Sequence, residues 1–123
     1  MKKVLIVDDQ PAFSKVLGVE LANRGYVVVE TANGKIGLKK AIKEEPDLIL
    51  LDIRMPVMDG MTMLELLRKE KIGKKMKVII LTNLELDNEM VGKVISDRPL
   101  YYFVKCDTEL SYLFKKIKKL LGE

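Results

Sequence analysis

Five polar residues close four short apolar runs, and this constrains the chain more than any other feature. VLIV runs into Asp8 and Asp9, LILL into Asp52, VIIL into Thr82, and YYFV into Lys105. Each run is about the length of a buried strand and is bounded by polar or turn residues, so the polar groups fall at carboxyl strand ends. Open α/β sheets place their sites at that edge. Three carboxylates, a hydroxyl and an ammonium gathered there are hard to explain as packing.

Between the apolar runs lie amphipathic segments in regular alternation. Residues 3–8 read as a first strand, followed by a helix over about 11–24 that opens at Pro11, turns Phe13, Val16, Leu17 and Leu21 inward, and stops at Gly25. Val27 to Thr31 forms a second strand. Asn33 then caps a helix running to about residue 44, with Ile36, Leu38, Ala41 and Ile42 inward and Pro46 blocking its continuation. Asp47 to Asp52 is the third strand, and its unbroken LILL predicts cover on both faces.

After the turn-rich MPVMDG, where Gly60 is expected to serve a tight turn, Met61, Leu64 and Leu67 mark a third helix ending near Gly73. The methionines at 55, 58, 61 and 63 read as packing. Lys77 to Thr82 is the fourth strand, and a helix is expected around 86–96. Pro99 turns the chain into a fifth strand, Leu100 to Val104. A last helix, capped by Asp107 or Thr108, carries the stripe Leu110, Leu113, Phe114, Ile117, Leu120 and Leu121. Five βα units in strict alternation predict one α/β domain over residues 1–123, a doubly wound parallel sheet with right-handed crossovers.

Composition removes most competing chemistries. The chain has no histidine and one cysteine, Cys106, which excludes His-based triads and metal sites, internal disulfides and Cys-rich zinc sites. No apolar run approaches the roughly 20 residues of a membrane span, and MKK leads straight into a strand, so the expected location is cytoplasmic. Twenty-two Lys and Arg against 18 acids give a net charge of +4. Much of that surplus is Lys115, Lys116, Lys118 and Lys119, which lie opposite the last apolar stripe and lack interleaved aromatics. They read as a solvated face rather than a nucleic-acid groove.

Three carboxylates on one edge repel each other, and a hard divalent cation with a nearby ammonium is the simplest remedy. Mg²⁺ suits such a set because it accepts carboxylates, a carbonyl and waters and leaves room for a phosphoryl oxygen. Asp52 is then a carboxylate nucleophile that forms an aspartyl phosphate. Lys105 stabilises the spread negative charge, and the Thr82 hydroxyl donates to a phosphoryl oxygen.

LIVDDQ, LLDIRMPVMDG, VIILTN and YYFVK, in that order, resemble the receiver domain of two-component response regulators, the phosphoacceptor family that includes the chemotaxis regulator. The resemblance covers essentially the whole chain. It implies a flavodoxin-like (βα)₅ fold with strand order 2-1-3-4-5. It also implies that Asp52 is phosphorylated and that Asp8, Asp9, Asp52 and the backbone carbonyl of Arg54 hold Mg²⁺. By the same token Thr82 is the switch hydroxyl, Lys105 the phosphate-binding ammonium and Tyr102 the aromatic that rotates inward on activation. The implied partners are a sensor histidine kinase or phosphotransfer protein and an output protein, with phosphorylation-linked homodimerisation through the helix before the fifth strand, that strand and the last helix. Such a domain catalyses only its own phosphorylation and dephosphorylation.

Three departures from the family pattern stand out. Cys106 follows Lys105 where the family carries a proline after a cis bond, and a cis bond to any other residue costs about 2.5–4 kcal/mol. Asn83 replaces a very small residue beside the phosphoryl group. Asp97, Arg98 and Pro99 rebuild the approach to the fifth strand. Arg54, two residues beyond the nucleophile, also separates the chain from Mg²⁺-dependent aspartate phosphatases, which carry an acid/base Asp there. A guanidinium cannot serve as a base, so with Arg54 and Leu84 flanking the site the expected hydrolysis of the phosphoryl group is slow. The bland readings are that Asp8 and Asp9 merely cap the first helix, and that the whole domain is a binding scaffold.

Overall fold

The alternation of apolar runs and helices resolves into a single parallel sheet. In the computed structural model, residues 1–83, 92, 96, 99, 101–105 and 109–122 are described. The strands are β1 (Lys3–Val7), β2 (Val27–Thr31), β3 (Leu48–Leu51), β4 (Val78–Thr82) and β5 (Tyr101–Val104), and the helices are α1 (Pro11–Asn23), α2 (Gly34–Glu44), α3 (Gly60–Lys69) and α4 (Leu110–Leu120). The order is β2-β1-β3-β4-β5 and every pairing is parallel, as the resemblance implied. The helix expected over 86–96 lies outside the described residues apart from Gly92 and Ser96, both helical. So do Leu84, the Lys105–Cys106 bond, Asp97, Arg98, and the expected caps Asp107 and Thr108. Glu109 holds the N-cap position of α4, without a side-chain cap bond.

Side-chain alternation on the strands divides the core in two. Val4, Ile6, Leu48, Leu50, Ile79 and Leu81 face α1 and α4, packing with Leu17, Leu21, Leu113, Phe114 and Ile117. Leu5, Val7, Ile49, Leu51, Val78 and Ile80 face α2 and α3, packing with Ala41, Met61, Met63, Leu64 and Leu67. β1, β3 and β4 are therefore covered on both faces, which is why their sequences are unbroken runs of Val, Ile and Leu. Burying one such side chain fully is worth about 1.5–3 kcal/mol.

Local chemistry ends the helices where the sequence suggests. Asn33 accepts the Ile36 N–H at 2.9 Å to start α2. α1 closes in a Schellman motif: Tyr26 N–H reaches the Leu21 carbonyl, Gly25 N–H reaches that of Ala22, and Gly25 sits at φ 95°. Two inward assignments are overturned. Val16 and Ile36 are exposed (50% and 47%), because each helix is buried along a narrower stripe: Ser14, Leu17, Gly18 and Leu21 on α1, and Gly34, Gly37 and Ala41 on α2.

Gly60 is no turn glycine either. It opens α3, its N–H donates to the Ile53 carbonyl at 2.7 Å, and a Cβ there would collide with the Asp52 carbonyl oxygen. The conformational strain sits three residues earlier. Val57 adopts φ 70°, and Met58 N–H closes back on the Pro56 carbonyl at 2.7 Å, a tight turn around a β-branched residue. Val57→Gly is expected to stabilise the fold by about 1 kcal/mol, since strain of this kind costs about 1–3 kcal/mol and glycine returns part of it in chain entropy. A raised denaturant midpoint at unchanged slope would show it, and a lowered midpoint would refute it.

Candidate functional site

The sheet order decides which polar groups meet. β1 and β3 are neighbours with Val7 opposite Leu51, so Asp8 and Asp52 emerge side by side from adjacent strands. Asp8 N–H donates to the Thr31 carbonyl at 3.0 Å and Asp52 N–H to the Val7 carbonyl at 2.9 Å, which continues the ladder past the strand ends. On the far side, Lys105 N–H donates to the Thr82 carbonyl at 2.8 Å. Four strands thus deliver their terminal residues to one edge.

Asp8, Asp52 and Thr82 are buried, and Asp9 is exposed. The carboxylates of Asp8, Asp9 and Asp52 each place an oxygen within 4.8 Å of the others. Between two of them lies Lys105, whose Nζ donates to Asp8 Oδ2 at 2.6 Å, to Gln10 Oε1 at 2.7 Å and to Asp52 Oδ2 at 3.3 Å. Its side chain is only 3% exposed, against 4% for that of Asp8 and 7% for that of Asp52. Asp52 Oδ1 accepts the Ile53 N–H at 2.8 Å, which orients the carboxylate.

Burial raises the Asp8 carboxyl above its ordinary 3.8, and the bonds from Lys105 and the Gln10 N–H only partly offset it. One ammonium does not balance three clustered acids. A donor set of three carboxylate oxygens, two of them desolvated, suits a hard divalent cation.

Asp8 and Asp9 do not act as helix caps. Gln10 occupies the N-cap position of α1 with no side-chain cap bond, while Asp8 Oδ1 accepts the Gln10 N–H at 2.8 Å. Arg54 is exposed two residues beyond Asp52, and Asn83 is exposed next to Thr82. Tyr102 is half-buried against the α2–α3 side of the core, whereas Tyr101 and Phe103 belong to the other. Of the basic row, Lys116 Nζ lies 5.4 Å from the Tyr101 ring centre and 5.3 Å from that of Tyr112.

Sequence reasoning missed Gln10 and gave Phe13 only a core role. Phe13 packs on the α1–α4 side of the core but also carries Lys105 Nζ over its ring at 4.4 Å. The available signal was proximity, because both residues open the helix that follows Asp8 and Asp9.

Known proteins resemble this chain in sequence and fold. Sporulation initiation phosphotransferase F of Bacillus subtilis is 41% identical over 81 residues, 66% of this chain and 64% of that protein. The transcriptional regulators that this chain resembles are longer, and it spans between 17% and 38% of their length. The response regulator TrrA of Thermotoga maritima, solved with Mg²⁺ and beryllofluoride, superposes with a TM-score of 0.84 at 34% identity, covering 98% of this chain and 99% of that one. A CheY-like receiver domain protein from Methanospirillum hungatei gives 0.89 at 31% identity, over 99% and 94%. Residues 4–118 match the response regulator receiver domain. With its five parallel strands and its acidic edge, this chain belongs to the receiver domain family of two-component signalling.

Proposed function

We propose that Asp52 is the phosphoacceptor of this receiver domain and that residues 1–123 act as one switching unit. The observation that carries this reading is the buried Asp52 carboxylate, fixed by the Ile53 N–H and faced by the Lys105 ammonium. A carboxylate oxygen of Asp52 attacks phosphorus as the bond to the donor, a phosphohistidine on a sensor kinase or phosphotransfer protein, breaks. Lys105 neutralises charge on the phosphoryl oxygens, and the Thr82 hydroxyl donates to one of them. Asp8, Asp9, Asp52 and the Arg54 backbone carbonyl would hold Mg²⁺, which when bound supplies charge neutralisation at the phosphoryl group.

The domain is not an enzyme toward other substrates, since it catalyses only its own phosphorylation and dephosphorylation. Its output is a protein contact, with Tyr102 following the state of Thr82. Phosphorylation-linked self-association through β5 and α4 belongs to the same reading. No described helix is long and apolar enough to cross a membrane.

Acetyl phosphate with Mg²⁺ is expected to add one phosphoryl group at Asp52, and Asp52→Asn to abolish the addition. An unchanged mass in the native protein would leave only a binding scaffold. The phosphoryl group should persist for minutes or longer, because exposed Arg54 offers water no base; complete loss within seconds without a phosphatase would contradict this.

Asp8 yields a pH-dependent expectation. Its raised pKa means that the folded state takes up the proton more readily than the unfolded chain, so ionisation of Asp8 opposes folding. That penalty is full above the raised value and absent below the ordinary carboxylate range. Without cation, Asp8→Asn should therefore raise the melting temperature at neutral pH, and the gain should vanish as the solution is acidified through that window. A gain independent of pH would mean that desolvation is not the cause.

A further inference from the structure

Lys105 is held by three acceptors of unequal character. An ammonium has three N–H donors and no more, and here they point to Asp8, Gln10 and Asp52. Two of those acceptors are carboxylates that a divalent cation would claim. The third, the Gln10 amide oxygen at 2.7 Å, is neutral and stands outside the carboxylate cluster.

We propose that Gln10 is a positioning residue for Lys105, holding the ammonium at the mouth of the site while Asp8 turns from the ammonium to the cation. This rests on the reading of Asp52 and its acidic neighbours given above. Lys105 and a divalent cation cannot both lie against Asp8 Oδ2 at close range, because like charges would meet where water is scarce. Cation entry therefore requires Lys105 to release Asp8. A released ammonium left without a partner in that nearly enclosed position would lose charge-assisted bonds and water together.

Gln10 supplies the acceptor that survives the exchange, and the Phe13 ring 4.4 Å away supplies a second attraction that the cation does not compete for. Both come from the start of α1, Gln10 at its N-cap position and Phe13 within its first turn. That end of the helix is a shelf on which Lys105 stays within reach of an incoming phosphoryl group. Gln10 thereby sets both how easily the cation enters and how well the lysine is placed afterwards.

The test is a double-mutant cycle with Gln10→Ala and Lys105→Met, read by Mg²⁺ titration of backbone amide chemical shifts and by the rate of modification with acetyl phosphate. Gln10 is exposed, and its backbone bond to Asp8 survives truncation, so the single variant retains the fold. Gln10→Ala should weaken Mg²⁺ binding by about tenfold or more, the scale of one hydrogen bond to a charged group. It should also slow phosphorylation, and Gln10→Glu, with an acceptor at the same reach, should restore the rate.

Lys105→Met should tighten Mg²⁺ binding, and in that background Gln10→Ala should have no further effect on it. An unchanged affinity in Gln10→Ala, or an equal loss with and without Lys105, would overturn the assignment while leaving Asp52 as phosphoacceptor. Native protein that neither binds Mg²⁺ nor is modified at Asp52 would overturn both.

Discussion

Repulsion between carboxylates at the end of two adjacent strands is the constraint on which the rest of the edge depends. Asp8 and Asp52 each place an oxygen within 4.8 Å of the other, and like charges that close oppose one another where water is scarce. Topology imposes this, because the order β2-β1-β3-β4-β5 sets the ends of β1 and β3 side by side. Lys105, from the edge strand β5, reaches across the end of the sheet to answer it. The cluster is thus long-range in sequence, with a separation of 97 from Asp8 to Lys105.

What makes so awkward a cluster tolerable is the sheet beneath it. β1, β3 and β4 are walled by apolar side chains on both faces, and the continued ladder through Asp8, Asp52 and Lys105 ties the polar ends to that rigid platform. The polar groups are therefore fixed in direction as well as in place. A receiver domain can be switched by a few atoms because those atoms start from one defined arrangement.

Much of this was legible in the sequence, and the reasons are specific. LILL and VIIL announce strands buried on both sides, and the polar residue after each run marks the edge where it emerges. Asn33, Gly25 and Pro46 punctuate helices by mechanisms that act within a few residues. The errors concern side-chain direction and close approach. Helical spacing offered Val16 and Ile36 the core, but how a helix lies on a sheet depends on neighbours distant in sequence. Gly60 looked like a turn residue because nothing nearby in the chain reveals that a carbonyl eight positions earlier presses against it. Gln10 was invisible for the same reason, since its partner Lys105 is supplied by the far end of the fold.

The contact at Gly60 gives the site a stiff side. The amino end of α3 stands against the Asp52 carbonyl with no room for a single methyl group, and the Gly60 N–H bonds to the carbonyl of the next residue, Ile53. A push generated at Asp52 meets a backstop there. Movement of that carbonyl toward α3 would have to shift the helix end itself. One missing side chain thus decides how closely the helix end and the strand end can approach.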